Sequence, residues 1–319
     1  GGGATHGSHV RSQPYMFNGT QRQNINIRGA IYFMAFDLRV ATDTAAGTSI
    51  TYPVPTVGPR LPSLIIAAEN DGDLVYPYCD QILDRATGPA TMATIYGGVH
   101  AYLSDTGTYD ASLATITRAE QMQYMFNLVI AFLKRWSTLD LSLEGMLYNN
   151  EYAGSSQVGI TAFRNMMETT VVDNFQGGVA GTNSLGGANS LTGGSYSTNT
   201  SIFPNLGNMS SLNLRHNIMT LPASTTCTYS TAIPTANQNQ SRAKRLVFRA
   251  GTVDISGQTL KGFDWTTVRV RITGGSAATV TLFDRNAPAA TYLPDYTGTA
   301  NVYDRFVNAN VPLSLFSGV

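Results

Sequence analysis

A chain of 319 residues has room for two domains and a sizeable core. Only 13% of the residues are charged and the formal net charge is zero, so the composition provides no basic surface for nucleic acid or for an anionic membrane. No apolar run reaches the ~18 residues of a membrane span, and the abundance of Asn, Ser, Thr and Gly over lysine is typical of an extracellular protein.

The two cysteines, Cys79 and Cys227, are too few for a disulfide framework in a chain of this length. We expect two buried thiols, and a single bridge between the two halves is the alternative. The sequence shows no signal peptide and does not begin with Met, so we interpret it as a processed product or an incomplete sequence.

The first elements along the chain are a short helix and a buried strand. Residues 4–11 are predicted to be helical, with His6 and His9 on one face. A metal-binding pair is one interpretation, but no Cys, Asp or Glu lies nearby to supply a third ligand, so we favour two surface histidines and predict no metal or other cofactor. The apolar run Ala30–Phe36 then indicates a strand buried on both faces, and Asp37 follows it.

A second apolar run, Leu64–Ala68, leads into an acidic turn that contains Glu69, Asp71 and Asp73. One carboxylate of this turn is suited to hold an imidazole in its useful tautomer. A calcium loop with Asp at alternate positions and a solvated acidic turn are the alternatives. We predict that Asp71 is this carboxylate, with Asp73 as the alternative; Asp37, which follows the preceding strand, is a less favoured rival that only the family resemblance described below suggests.

A helix and a third strand follow the acidic turn. Tyr78–Arg85 has helical spacing, and the apolar run Ala93–Tyr96 ends in two glycines and a valine before His100. The order strand, acid loop, helix, strand, histidine loop is that of a βαβ unit in a parallel sheet. The working residues of such sheets lie in loops beyond the carboxyl ends of the strands, and the two glycines allow a close approach there. We therefore predict a hydrogen bond between Asp71 and His100, and three parallel neighbouring strands near residues 30–36, 63–68 and 92–97.

A capping box formed by Thr117 and Glu120 begins a helix that is predicted to run to about Trp136. The apolar stripe that packs this helix on the sheet is predicted to consist of Met122, Phe126, Val129, Leu133 and Trp136. Leu141–Tyr152 is predicted to be a connector. This pattern puts a domain boundary near residue 150, between an α/β domain over 1–150 and an all-β domain over 151–319.

The second half of the chain differs in character from the first. Residues 174–214 carry no charge, but recurring Phe, Tyr and Leu side chains favour an ordered, loop-rich β region over full disorder. Strand signals then cover Arg245–Ala250, Thr266–Ile272, Ala278–Phe283 and Asn310–Phe316. Several such strands in one domain predict a β-sandwich over residues 151–319. A sandwich commonly has one strand more, so an incomplete carboxyl end is one interpretation of this domain.

Each half resembles a known class of protein. The strand, loop and spacing around Asp71 and His100 resemble the acid-to-histidine half of an α/β-hydrolase of the serine esterase kind, and this resemblance covers residues 1–140. The second half resembles the carbohydrate-binding-module-like jelly rolls that are attached to secreted hydrolases, by layout rather than by motif. This likeness implies binding to a glycan or polymer surface through exposed aromatic side chains, with Trp265 as the best candidate and core packing as the favoured alternative for that residue.

The hydrolase resemblance implies a nucleophilic serine that precedes the acid in the chain. The opening Gly1-Gly2-Gly3-Ala4 resembles the tail of a G-x-S-x-G nucleophile elbow, so the serine is expected just before Gly1 and outside this chain. Ser8 is a substitute whose flanks fit poorly, because His6 and Val10 occupy the positions of the two glycines.

Two functions are compatible with these patterns. The first is a secreted serine hydrolase that acts on the ester bonds of an uncharged or polymeric substrate, with His100 as the base and Asp71 as the acid that orients it. The second is a catalytically inert, hydrolase-derived structural or binding component of an extracellular assembly. A G-x-S sequence immediately before Gly1 would favour the enzyme.

Overall fold

The structure is a computed structural model that describes residues 15–17, 20–22, 28–34, 42–43, 50–51, 61–71, 79, 82–83, 86–105, 107–148, 158–164, 169–175, 181–201, 215–220, 226–250, 269–272, 278–281 and 307–316. Some residues with predicted roles lie outside these ranges, namely Gly1, His6, Ser8, His9, Asp37, Asp73 and Trp265. Within the described ranges the chain combines one mixed parallel and antiparallel sheet, several two-stranded antiparallel sheets and few helices.

The elements are numbered in chain order. The strands up to residue 164 are β1 (Tyr15–Phe17), β2 (Thr20–Arg22), β3 (Ala30–Phe33), β4 (Thr42–Asp43), β5 (Ile50–Thr51), β6 (Ser63–Ala68), β7 (Ala90–Ile95) and β8 (Val158–Arg164). The later strands are β9 (Asn189–Thr192), β10 (Ser195–Ser201), β11 (Arg215–Thr220), β12 (Thr228–Thr231), β13 (Arg245–Ala250), β14 (Arg269–Ile272), β15 (Ala278–Thr281) and β16 (Val307–Pro312). The helices are α1 (Arg118–Ser137) and α2 (Glu144–Tyr148), with 3-10 turns at Ala101–Leu103, Ala111–Leu113, Leu141–Leu143, Thr235–Asn237 and Leu313–Leu315.

The central sheet has the strand order β3-β6-β7-β8. Its first three strands are parallel, with Ala30 opposite Ser63 and Ser63 opposite Ala90. The prediction of three parallel neighbouring strands is therefore confirmed. β3 ends at Phe33, earlier than predicted, because Met34 has a φ of 40°, a left-handed conformation that does not continue a strand.

The fourth strand of this sheet was not predicted. β8 pairs antiparallel with β7, from Arg164 opposite Ala90 to Val158 opposite Ile95. Its segment follows the predicted domain boundary near residue 150, so the chain returns to the first sheet after that point. The division into two domains stays a prediction.

Both faces of the central sheet are covered at β6 and β7, whereas β3 was wrongly predicted to be buried on both faces, because its Phe33 is exposed. Every residue of β6 and β7 is buried, and alternate residues of β6 point to opposite faces. On one face the sheet packs against helical residues of the predicted helix at 78–85, in a cluster that includes Ile65, Ala67, Cys79, Ile82, Leu83 and Met92. On the other it packs against α1, in a cluster that includes Leu64, Ile66, Ala93, Ile95, Met125, Leu128 and Phe132. Burial of one large aliphatic side chain contributes about 1.5–3 kcal/mol, so these two layers are the main support of the sheet.

The predicted capping box begins α1. The Thr117 hydroxyl accepts a hydrogen bond from the Glu120 backbone N–H, and the Glu120 carboxylate accepts one from the Thr117 backbone N–H at 2.8 Å. The Thr117 backbone N–H, and secondarily its hydroxyl, hold the pKa of Glu120 below its ordinary value of 4.5. The helix ends at Ser137, one residue beyond the predicted end.

The predicted apolar stripe of α1 was wrong by one position. Phe126 and Leu133 are 55% and 52% exposed, and Met122, Val129 and Trp136 lie only at the margin of the core. The residues that face the sheet are Gln121, Met125, Leu128, Ala131 and Phe132. The error arises because the buried stripe begins with a polar residue, so the apolar spacing appears to start one residue later.

Replacement of Thr117 by Ala is expected to lower the free energy of unfolding by about 1 kcal/mol, within a range of about 0.5–2 kcal/mol. The substitution removes the hydroxyl that accepts the Glu120 backbone N–H at 3.2 Å. Thr117→Ser keeps this acceptor and should change the free energy of unfolding by only a few tenths of a kcal/mol. Urea unfolding followed by circular dichroism measures both, and equal losses in the two variants would contradict the capping role.

The predicted connector at 141–152 contains a helix that was not predicted. A 3-10 turn at Leu141–Leu143 leads into α2, where Glu144 accepts hydrogen bonds from the Arg135 guanidinium at 2.6 and 2.8 Å. This ion pair ties α2 to the last turn of α1. Over the described parts of the chain, no helix has the length and apolar character that crossing a membrane requires.

The second half of the chain consists of antiparallel strand pairs. β9 pairs with β12 and β10 with β11, so the described part of the uncharged tract contains two strands, in agreement with the predicted loop-rich β region. β13 pairs with β16, and β14 pairs with β15. The alternation of Thr266–Ile272 predicts one buried and one wet face; in the described residues of β14 the wet face is exposed, whereas the other face is only half-buried. Cys79 is buried as expected, whereas Cys227 is only half-buried and its thiol donates to the Gly193 carbonyl at 3.1 Å. No disulfide joins the two cysteines.

Candidate functional site

The acid loop and the histidine loop leave the sheet at the same edge. β6 and β7 are parallel and Ala68 lies opposite Ile95, so the two strands end side by side. The pairing continues beyond them, because the Glu69 N–H donates to the Ile95 carbonyl at 3.0 Å and the Asn70 N–H donates to the Gly98 carbonyl at 2.8 Å. The acid and the histidine are thus held close together by backbone hydrogen bonds.

Asp71 and His100 form a hydrogen-bonded pair at this edge. Nδ1 of His100 lies 3.0 Å from Oδ2 of Asp71. The predicted contact is therefore confirmed, whereas the catalytic roles of the two residues stay predictions. The rival acids Asp73 and Asp37 lie outside the described residues.

Burial differs between the two partners. The Asp71 side chain has no solvent exposure, and the His100 side chain is 22% exposed. A carboxylate only accepts hydrogen bonds, so the proton between the two groups belongs to Nδ1, and Nε2 is the basic nitrogen of this tautomer. The pair therefore has the geometry of a general base whose tautomer is set by an acid.

The glycine pair before His100 is required by the space around it. Gly97 has a φ of 71° and its N–H donates to Oε2 of Glu69 at 2.6 Å. A Cβ added at Gly97 would overlap the hydroxyl of Thr115, and one added at Gly98 would lie 2.8 Å from Oε1 of Gln121. The positive φ and the crowding together explain why this turn uses glycine.

Two buried polar residues that the sequence did not reveal hold the backbone on either side of the imidazole. Asp110 is 2% exposed, and its two carboxylate oxygens accept the backbone N–H groups of His100 and Ala101, each at 2.9 Å. Gln121 is fully buried; its Oε1 accepts the Val99 N–H at 2.9 Å and its Nε2 donates to the Val99 carbonyl at 2.8 Å. Gln121 falls on the helical spacing of Met125 and Leu128, which is a usable signal, whereas Asp110 follows no pattern.

An aromatic residue stands beside the imidazole. Tyr109 is 61% exposed, and its ring centroid lies 6.2 Å from that of His100 at an interplanar angle of 43°. The same segment is tied to the acid loop, because the Asn70 side chain donates to the Leu113 carbonyl at 2.8 Å. The segment that carries Tyr109 is therefore joined to the acid loop and places an aromatic ring near the imidazole.

The other predicted features of the site concern metals and the nucleophile. Among the described residues, no group of three His, Cys, Asp or Glu side chains could hold a metal ion. The His6 and His9 pair and the Asp73 half of the calcium-loop alternative lie outside those residues. The same holds for Gly1 and Ser8, so the elbow alignment stays a prediction.

No protein-family model matches the chain, and a search of curated proteins found none significantly similar to it. The resemblance to α/β-hydrolases and to binding-module jelly rolls therefore depends on this chain's own residues. The strand order, the two loops and the Asp71–His100 contact are the observations available for a functional argument.

Proposed function

We propose that this chain carries the acid and histidine of a secreted serine hydrolase that acts on ester bonds, on an α/β-hydrolase sheet followed by a β-sandwich. The observation that supports the proposal is the hydrogen bond of 3.0 Å between the buried Asp71 and the partly exposed His100, in successive loops at the carboxyl ends of adjacent parallel strands. An acid and a histidine in that chain order, on that kind of sheet, are the second and third members of the hydrolase triad.

The proposed reaction has two steps. A serine, expected just before Gly1, attacks the ester carbonyl while Nε2 of His100 takes its proton; the tetrahedral intermediate collapses as His100 returns that proton to the leaving alcohol. Water then attacks the acyl-enzyme, with the same nitrogen as base and then acid, and releases the carboxylic acid and the serine. Asp71 holds the imidazole in place and stabilises its protonated form. Backbone amides hold the oxyanion.

The substrate class is inferred from composition and analogy. An ester is preferred to an amide by analogy with the superfamily alone. A chain with zero net charge and 13% charged residues suits an uncharged or polymeric substrate. Aromatic side chains of the proposed β-sandwich, with Trp265 as the candidate, would bind the glycan or polymer surface.

A fluorophosphonate probe tests the proposal directly, since it labels only a serine activated by a neighbouring base. Two forms are compared: the 319-residue chain, and the same chain extended by the residues that precede Gly1 in its gene. We expect the extended form to be labelled at a serine next to Gly1, and we expect His100→Ala to abolish this labelling. His216→Ala, in β11, is the matched control and should be labelled like the wild type.

The alternative outcomes are distinct. Labelling at Ser8 in the shorter chain would reject the elbow alignment and keep the hydrolase. Absence of labelling in both forms, with both folded, would reject the hydrolase and support the inert structural component.

A further inference from the structure

The loop that carries His100 is held at three points by side chains from three different segments. Asp71 binds the ring, Asp110 binds the backbone of His100 and Ala101, and Gln121 binds the backbone of Val99. The second and third contacts touch no atom of the imidazole. They fix the backbone from which the imidazole projects.

Asp110 caps the 3-10 turn that follows His100. His100 is the N-cap residue immediately before the 3-10 turn at Ala101–Leu103, and its side chain makes no capping hydrogen bond. The N–H groups at the start of this turn need acceptors, and the two oxygens of Asp110 supply them. A buried carboxylate is costly unless both oxygens are bonded. The turn is thus capped from another loop while the imidazole pairs with Asp71.

Gln121 holds the backbone of Val99, the residue before His100, in the same way. Its amide accepts from the N–H and donates to the carbonyl of Val99, so it matches both backbone groups of one residue, as a neighbouring strand would. It stands in the first turn of α1, which is packed on the sheet through Met125 and Leu128. Gln121 therefore attaches the histidine loop to the helix that covers one face of β6 and β7.

We propose that Asp110 and Gln121 are positioning residues that hold the backbone of Val99, His100 and Ala101 so that the imidazole stays in the Nδ1–H tautomer against Asp71. We call these two side chains and their hydrogen bonds to Val99, His100 and Ala101 the clamp. Its role in catalysis rests on the proposed hydrolase function. The positioning itself can be tested without that function, because the tautomer of His100 and the hydrogen-exchange protection of the His100 and Ala101 amides are measurable without any reaction.

The test uses the 319-residue chain labelled with 15N-histidine. The sequence has only four histidines, so four imidazole signals are expected, and His100→Ala assigns the relevant one. In the wild type, the 15N shifts should report the Nδ1–H tautomer. Asp71→Asn should abolish that signature directly. Asp110→Asn places an amide group where two N–H donors need acceptors, and Gln121→Leu removes both bonds to Val99; each should shift the His100 signals towards a mixture of tautomers.

Two further readouts separate positioning from a general loss of stability. Amide hydrogen exchange at His100 and Ala101 should accelerate by at least about 10-fold in folded Asp110→Asn. In the extended, active form, kcat should fall by about 100-fold with little change in KM, as expected for a misplaced catalytic group. Asp105→Asn is the matched control, because Asp105 is an exposed acid with a 92% accessible side chain that pairs with Arg118. It should leave all readouts unchanged.

The outcomes show whether Asp110 and Gln121 position the imidazole or have only a structural role. An unchanged Nδ1–H signature in folded Asp110→Asn and Gln121→Leu would overturn the proposal. If neither variant folds, the wild type still tests it, since the protection factor of the Nδ1 proton, relative to a free imidazole, should be no smaller than that of the Ala101 amide; a smaller one would show that the ring leaves Asp71 without opening the clamp. A failed labelling experiment combined with the expected tautomer shifts would reject the hydrolase and keep the clamp.

Discussion

Replacement of Asp71 by Asn is expected to lower kcat for ester hydrolysis by about 10³- to 10⁴-fold, with KM nearly unchanged. Asp71 is fully buried and binds Nδ1 of His100 at 3.0 Å. An asparagine of the same shape turns its amide N–H towards Nδ1, which stabilises the Nε2–H tautomer and removes the lone pair that must accept the serine proton. The substitution is expected to preserve the fold while placing the imidazole proton of His100 on Nε2 instead of Nδ1.

Initial rates of p-nitrophenyl ester hydrolysis by the extended chain measure this effect. Asp105→Asn is the control, since it makes the same chemical change at an exposed position. Asp73→Asn and Asp37→Asn are expected to have small effects. A large loss of kcat in either of them, with activity kept in Asp71→Asn, would transfer the role of acid to that residue.

Replacement of Leu128 by Ala is expected to lower the free energy of unfolding by about 2–5 kcal/mol. Leu128 has no exposed surface and lies between α1 and the sheet, so its removal loses the transfer free energy of the side chain and leaves a cavity. Leu133→Ala makes the same change on the same helix at a position that is 52% exposed, and it should alter stability by at most about 0.5 kcal/mol.

Urea denaturation of the two variants beside the wild type measures this difference. The pair also tests which face of α1 is buried, because the sequence predicts Leu133 in the core and the structure has Leu128 there. Equal destabilisation by the two substitutions would mean that both faces are covered. A larger loss for Leu133→Ala would restore the predicted stripe.

Features with local signals were predictable from the sequence. β6 and β7 are runs of apolar residues buried on both faces, and such runs predict parallel strands without knowledge of their partners. Thr117 and Glu120 are three residues apart, so the start of α1 is encoded within one turn. The Asp71–His100 contact needed one further step, namely that adjacent parallel strands deliver their loops to one edge.

Features that depend on distant partners were not predictable. Asp110 reaches residues 9 and 10 positions away through a turn that no spacing rule describes. The helical spacing of Gln121 indicates its burial, but its partner Val99 is 22 residues away and cannot be predicted from that spacing, and this polar residue shifted the apparent stripe of α1. In the second half the alternation of β14 was readable, but the pairing of β13 with β16 or of β9 with β12 depends on segments far apart in the sequence.

The antiparallel strand β8 has a consequence for how the chain matures on the ribosome. Its pairing with β7 covers the side of the histidine-bearing strand that faces away from β6. Until residue 164 has been synthesised and has left the exit tunnel, that side of β7 presents unpaired N–H and C=O groups, which are a template for wrong partners. The histidine loop is translated about 60 residues before residue 164, and the acid loop about 90 residues before it, at a pace of about 5–20 residues per second. The nascent sheet therefore has an unpaired edge at β7 for several seconds, until β8 is available to cover it.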